Sequence, residues 1–271
     1  MKRAALCGKI KKKEVRPVKE SRKFGIPSFE YELTDSTNEQ AKIYAKSGVW
    51  QGEPCIFVAN EQTKGRGRYS RRFYSKNGAG AYLSLLFKPN SHVKDTTTVV
   101  ALSAISMIKA IESLSGARVE IKWVNDLILG GRKLGGILIE GSVDPESGEY
   151  DYLIAGIGVN LYKTELDEEI QNIATSLEAE TGEKVEKDAL IQSFVCHFSE
   201  GLKNLHSEAL FEDYKSRLIT LGKPVTVVTL AESYDATAID LLPDYSLLVA
   251  DKSGEEKRIF TGEVSVKPIK N

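Results

Sequence analysis

The sequence predicts an α+β fold: a mixed β-sheet packed with helices, followed by a small β-barrel. Three observations predict it. Strand signatures, both alternating and short apolar runs, recur between Phe29 and Leu161. One long helical pattern, Thr96 to Leu114, is apolar at too many positions for a surface helix and implies packing against a sheet. From Lys223 onward only short strands and turns remain.

The elements follow in order. Residues 1 to about 24 are polar and basic, with Lys11-Lys12-Lys13 and Arg22-Lys23 among them. A flexible leader over 1–26 is expected in preference to a nucleic-acid arm, because no aromatic interleaves the charges. Order is expected to begin near Phe29, where Phe29–Leu33 alternates as a half-buried strand does. Ser36-Thr37-Asn38-Glu39 carries a capping-box pattern, and Ala41, Tyr44 and Ala45 give the helical face behind it. Cys55–Ala59 and Tyr82–Phe87 are buried strands on either side of a polar loop. Gly116 stops the long helix. Val119–Val124, Asp126–Leu129 and Leu134–Ile139 are strand-like, and Gly130-Gly131 between the last two is a tight-turn signal. Tyr152–Leu161 is a further strand, Thr175–Leu218 is helical, and the β unit after it has about 50 residues, marginal as an independent domain. The expected division is a leader at 1–26, a catalytic domain at 27–218 and a β domain at 219–271.

Composition narrows the function classes. The 271 residues are 41% hydrophobic and 28% charged with a net charge of −1, so no whole-protein field draws the chain to nucleic acid or membrane. Cys7, Cys55 and Cys196 are odd in number and far apart, and His92, His197 and His206 share no metal-ligand spacing. Packing or surface roles are expected for all six. No apolar run is long enough to suggest a membrane span, and the start does not resemble a signal peptide, which points to the cytoplasm.

Two stretches carry chemistry. From Glu61 to Lys76 there are six basic side chains (Lys64, Arg66, Arg68, Arg71, Arg72, Lys76) and one acid, with Gly65 and Gly67 set among them. Arginine forks match carboxylate or phosphate oxygens, and glycines let the backbone approach a ligand. Such a loop is expected to stay mobile until an anion arrives, although a solvated or RNA-binding loop has the same composition. The second stretch runs from Ile121-Lys122-Trp123-Val124-Asn125-Asp126 through Arg132-Lys133-Leu134-Gly135-Gly136-Ile137. Glycines inside an apolar strand weaken its ladder, which implies either a ligand lying flat on the backbone or a β-bulge. Lys133 stands at the hairpin end, and Asp126, across the turn, is placed to hold that lysine or a magnesium ion. Gly156-Ile157-Gly158-Val159-Asn160 repeats the theme and ends in an amide that could read an adenine edge or finish a turn.

Together these segments resemble the biotin–protein ligases: Ser36-Thr37-Asn38, Gly65-Arg66-Gly67-Arg68, Lys122–Asp126, Arg132–Leu138 and Gly156–Asn160 stand in that family's order and spacing. Gly262-Glu263-Val264-Ser265-Val266 resembles the closing strand of its SH3-like barrel. The resemblance implies a class II aminoacyl-tRNA synthetase-like catalytic fold that forms biotinyl-AMP from biotin and ATP with Mg2+. The biotin would then pass to a lysine of a carboxylase's biotin carboxyl carrier domain. It implies that Ser36, Thr37 and Gln62 bind the ureido head with Asn38 beside them, and that Gly65, Arg66, Gly67 and Arg68 hold the carboxylate and adenylate. Lys133 would bridge carboxylate and α-phosphate; Gly135, Gly136, Ile137, Gly156 and Gly158 would line the valeryl chain; Asn160 would face adenine. Lys133, Arg68 and Asp126 are the catalytic candidates, and Arg66, Arg68, Lys133 and Asn160 the ATP contacts. Val124 departs from the family's proline, and Phe73 stands where an aromatic wall residue is expected. The leader is too short for a winged-helix reader, so specific DNA binding is not expected. A monomer or homodimer fits equally. A lipoate–protein ligase is the nearest alternative, although its loop carries a Gly-Gly-Gly run. A non-enzymatic biotin-responsive regulator and a nucleic-acid-binding protein are the others.

Overall fold

The computed structural model describes residues 17–90, 93, 96–165, 170–229, 232–260 and 262–266. Cys7, His92 and the lysine run 11–13 lie outside them. Two sheets form. The larger has eight strands in the order β1-β2-β3-β4-β8-β7-β6-β5, with ranges Lys19–Ser21 (β1), Ser28–Thr34 (β2), Cys55–Gln62 (β3), Gly80–Phe87 (β4), Glu120–Lys122 (β5), Asp126–Leu129 (β6), Arg132–Val143 (β7) and Tyr150–Asn160 (β8). It is mixed: β2 and β3 run parallel, and every other pair is antiparallel.

Parity along the strands decides the layers, because successive side chains point to opposite faces. Ile56 and Val58 of β3 join one apolar cluster, and Cys55, Phe57 and Ala59 join another. β3 is therefore buried on both faces, which is why it reads as a continuous apolar run. The first face is covered by α2 (Thr97–Ser115), backed by α4 (Lys187–Leu202) and α5 (Glu208–Ser216). α2 is long and apolar enough in composition to cross a membrane, yet most of it is buried inside the fold, as befits a core helix. The second face carries α1 (Thr37–Ala45), packed on β3, β4 and β8.

Several expectations are corrected. Residues 17–26 are folded: β1 pairs with β2, Phe24 is 3% exposed, and Lys23 bonds Glu30 and Asp188. A short edge strand of charged residues gains its order from backbone pairing, which leaves no hydrophobic signature. The capping box at α1 is not made. Asp35 Oδ1 already accepts the Ser36 N–H at 2.8 Å, the bond that the box's glutamate would supply, and Glu39 turns to Arg66 instead. The helical stretch after Thr175 is three helices, with α3 (Leu177–Thr181) ended by Gly182 at φ 76° and α5 capped by the Ser207 hydroxyl.

The smaller sheet is antiparallel, in the order β12-β11-β10-β9-β13, built from Pro224–Val228 (β9), Ser233–Leu241 (β10), Leu247–Asp251 (β11), Glu256–Ile259 (β12) and Glu263–Val266 (β13). Its inward residues Val225, Val227, Leu247 and Val249 belong to the same core as α2. Tyr245 ties the parts together, with its carbonyl accepting from Trp123 Nε1 at 3.0 Å and its ring against Phe211 and Tyr214.

Candidate functional site

The site lies on the α1 face, and the sheet's alternation builds it. On β8, Leu153, Ala155, Ile157 and Val159 face the helix-side core, so the even positions Gly156, Gly158 and Asn160 face the other way. Across the ladder Gly136 pairs with Gly158, and Leu138 with Gly156. The floor is therefore smooth on one side and aliphatic on the other. Added Cβ atoms measure how closely it is covered. One at Gly156 would lie 2.1 Å from Asn38 Oδ1, one at Gly158 2.4 Å from the Phe73 ring, and one at Gly135 2.4 Å from the Gly158 carbonyl. The expected valeryl-lining glycines thus first admit protein atoms. At Gly136 the nearest atoms are Lys133 Cε at 3.5 Å and Asp126 Oδ1 at 3.6 Å. A bulge is present too: Leu127 pairs with Gly135 and Ile128 with Lys133, leaving Leu134 as the extra residue. The bulge expected here therefore stands beside the glycine pair.

The first polar group stands at the N-terminus of α1. Gln62 Oε1 accepts from the Thr37 N–H at 2.8 Å, and Gln62 Nε2 donates to Ser75 Oγ at 2.8 Å. Ser84 Oγ lies 2.7 Å from Thr37 Oγ1, and Asn38 Nδ2 donates to Glu140 Oε2 at 2.7 Å. Burial opposes the charge of Glu140, but hydrogen bonds from Lys42 and Asn38 outweigh it, helped by the charges of Lys42 and Arg66. The carboxyl is held below its ordinary range. Thr37 is 3% exposed and serves to fix Gln62, so its ureido contact would need the ligand to displace this bond.

The second group is the hairpin of β6 and β7. Gly130 and Gly131, both at positive φ, turn the chain so that Lys133 Nζ meets Asp126 Oδ1 at 2.6 Å. Asn125 brackets Ile137, taking its N–H at 3.0 Å and donating to its carbonyl at 2.7 Å. Ile137 packs into the helix-side core, so it borders the cavity through its backbone. The segment 170–175 lies alongside: the Lys133 N–H donates to the Ile173 carbonyl, and the Thr175 N–H to the Lys133 carbonyl. Asn160 Nδ2 donates to the Thr175 carbonyl at 2.9 Å.

The third group is the basic loop. Expected to lack fixed structure until an anion arrives, it has backbone bonds of its own. Phe73 N–H donates to the Gly65 carbonyl, Gly67 N–H to the Arg71 carbonyl, and a turn at Arg68–Ser70 puts Tyr69 at φ 53°. Gly65 is required because a Cβ would lie 2.4 Å from the Phe73 carbonyl. Arg66 pairs with Glu39 at 2.5 Å, Arg68 Nη1 is 3.5 Å from Asn125 Oδ1, and Arg71 grips Glu263 of β13 with both guanidinium nitrogens.

These groups surround one cavity of about 870 Å3. Among the described residues bordering it, nine are lysine or arginine and two, Asp126 and Glu263, are acidic. That imbalance suits a polyanion. Ser36, Asn38, Gln62, Arg66, Gly67, Arg68, Lys133, Gly136, Ile137, Gly156, Gly158 and Asn160 border it, whereas Thr37, Gly65 and Gly135 stand behind it.

Residues 31–160 match the Biotin/lipoate A/B protein ligase family. Over 211 residues the chain is 30% identical to the biotin--[acetyl-CoA-carboxylase] ligase of Paracoccus denitrificans, covering 74% of this chain and 85% of that one. The chain belongs to the biotin protein ligase family. The bifunctional ligase/repressor BirA of Bacillus subtilis (strain 168) shares 27% identity over 96% of this chain and 80% of its own. A biotin protein ligase from Aquifex aeolicus, solved in complex with biotin and ATP, has the same fold, with a TM-score of 0.75 and 28% identity, over 89% of this chain and 98% of that chain. As a family member the chain is a ligase.

The structure adds residues that motif reasoning passed over. Segment 170–175 borders the cavity without a motif of its own. Arg132 Nη2 meets Glu180 Oε1 at 2.5 Å, and Thr175 Oγ1 donates to the same oxygen at 2.6 Å. Neither pairing leaves a local sequence signal, since the partners come together only in the fold. Among the described residues no group of three His, Cys, Asp or Glu is placed to hold a metal. Cys55 is buried, and burial pushes its thiol up to about 12, consistent with a packing role.

Proposed function

We propose that this enzyme adenylates biotin with ATP and transfers the biotinyl group to a lysine of a biotin carboxyl carrier domain. One observation carries the proposal: the Lys133–Asp126 pair borders the same cavity as the glycine floor of Gly136, Gly156 and Gly158, the polar group Ser36, Asn38 and Gln62, and eight further basic side chains. A ligand with an apolar chain, a polar head and a terminal carboxylate suits the glycine floor and the amide group, and a nucleoside triphosphate suits the basic side chains. The volume lies at the upper end for small-molecule sites, as two substrates require.

In the first step a biotin carboxylate oxygen attacks the α-phosphorus, and the bond to the pyrophosphate oxygen breaks. This needs in-line placement and neutralised charge more than a side-chain nucleophile. A lysine ammonium has three donors and Asp126 takes one, so Lys133 retains two for the carboxylate and α-phosphate. Arg68 supplies further positive charge, and Asn160 and Arg66 complete the nucleotide contacts. Ser36, Asn38 and Gln62 face the ureido head, with Thr37 behind them holding Gln62; Gly136, Ile137, Gly156 and Gly158 form the wall along the chain, with Gly135 behind it; Gly65 and Gly67 shape the loop. In the second step the carrier lysine's neutral amine attacks the acyl carbon, AMP leaves, and the amine's proton passes to solvent. Between steps the Arg66–Arg72 loop covers the mixed anhydride.

Magnesium fits as a companion of the nucleotide. Asp126 borders the cavity and is the residue that would hold it, and magnesium takes most of its ligands from phosphate and water. It would neutralise phosphate charge there. The proposal includes a catalytic domain that runs from β1 to residue 218 and an SH3-like C-terminal barrel at 219–271, whose Glu263 to Val266 border the cavity. It also places the protein in the cytoplasm, as a monomer or homodimer.

The test is transfer. With biotin, ATP, Mg2+ and a carboxyl carrier domain, the carrier should gain one biotinyl group on a single lysine by mass spectrometry. A carrier left unmodified, with biotinyl-AMP accumulating, contradicts the transfer half of the proposal.

A further inference from the structure

Glu180 does not border the cavity, yet it joins three pieces of its wall. Its Oε1 accepts from Arg132 Nη2 at 2.5 Å and from Thr175 Oγ1 at 2.6 Å. Its Oε2 sits against the hairpin turn, 2.2 Å from where a Cβ on Gly130 would be. The side chain is 18% exposed, whereas Arg132 is 43% exposed and borders the cavity. Thr175 is the residue whose N–H bonds the Lys133 carbonyl and whose carbonyl holds Asn160. One carboxylate therefore fixes a cavity-edge arginine, the backbone beside Lys133 and the strand end carrying Asn160. Thr175 and Arg132 hold that carboxyl below its ordinary range, so it keeps its charge near neutral pH.

We infer that Arg132 is a further nucleotide-phosphate contact and that Glu180 is the positioning residue that aims it. The inference rests on the ligase reading. Arginine's planar fork suits phosphate oxygens, but an arginine side chain with four rotatable bonds is costly to order at the moment of binding. A carboxylate holding one nitrogen in advance leaves the rest of the fork presented toward the cavity. The Glu180 anchor lies outside the basic loop, so the position of Arg132 does not depend on that loop.

The experiment measures pyrophosphate exchange and equilibrium ATP binding for the full chain, comparing wild type with Glu180→Gln, Glu180→Ala and Arg132→Gln. Glu180→Gln keeps an acceptor for Thr175 and loses the negative charge that holds Arg132. It should raise the KM and Kd for ATP about tenfold, the scale of a lost charge-assisted hydrogen bond, with the KM for biotin within about twofold of wild type. Arg132→Gln should match it, and adding it to Glu180→Gln should change little more. Glu180→Ala also frees Thr175 and should lower kcat as well. A wild-type ATP constant in Glu180→Gln or Arg132→Gln overturns the inference, as does an equal rise in both substrates' constants. Absence of exchange by wild type, which sinks the ligase reading itself, is a separate outcome and takes the inference with it.

Discussion

The floor of the cavity and the loop that covers it are held by opposite means. On the floor, β7 and β8 share a nine-register ladder from Gly135↔Val159 to Val143↔Tyr150, and the glycines leave no room for a methyl group beside Asn38 and Phe73. In the loop, the side chains are held by ion pairs at the surface, with Arg66 42% and Arg71 67% exposed. Exposed pairs contribute about 0–1 kcal/mol each, so the loop exchanges partners at little cost. Steric fit fixes the floor and charge holds the cover. The proposed cycle, in which ATP and biotin enter, an anhydride is guarded and a carrier lysine follows, calls for both.

The largest expected break comes at the floor's reacting edge. Lys133→Ala removes the cation next to the carboxylate, and adenylate formation should fall on the order of 10²–10³-fold. Normal pyrophosphate release from this variant would remove Lys133 from the chemistry. Next comes the floor itself. Gly156→Ala forces a methyl against Asn38, which should cost about 1–3 kcal/mol in denaturant unfolding. Gly136→Ala, with 3.5 Å to its nearest neighbour, should unfold near the wild-type midpoint. Equal losses in the two would mean that the close approach at Gly156 is not what holds the floor.

The loop should respond in kinetics more than in stability. Arg68→Gly should raise release of free biotinyl-AMP about tenfold, roughly 1.4 kcal/mol in retention, with an unchanged unfolding midpoint. Wild-type leakage and adenylate affinity would show that Arg68 does not guard the intermediate. The smallest effect joins the two regions. Glu140 lies on the floor strand and its folded carboxyl is held below the ordinary range, so it binds protons less readily folded than unfolded. Its stabilisation is present above the unfolded carboxylate range and lost as pH falls through the lowered folded value. Unfolding free energies across acid pH should therefore decline less steeply for Glu140→Gln than for wild type; identical slopes would sever Glu140 from acid sensitivity.

The sequence made the floor more legible than the cover. Alternation and apolar runs mark β2, β3, β4, β7 and β8, because burying one or both faces is what produces those patterns. The Gly130-Gly131 turn brings Lys133 and Asp126 together, since a hairpin register links residues close in the chain. The scaffolding roles of Thr37, Gly65 and Gly135 were not legible: bonding to Gln62, or lying against the Phe73 or Gly158 carbonyl, depends on placement in space. The same holds for Glu180, 48 residues from Arg132, and for Arg71 and Glu263, 192 apart. β1 escaped notice because its charged residues gain order only from pairing with β2.

The central claim is adenylation of biotin at the Lys133 edge, and its most direct test is exchange of labelled pyrophosphate into ATP, run with biotin and with lipoate in parallel. Exchange that requires biotin and is lost in Lys133→Ala is the predicted result. Exchange with lipoate alone, or with neither acid, would contradict it.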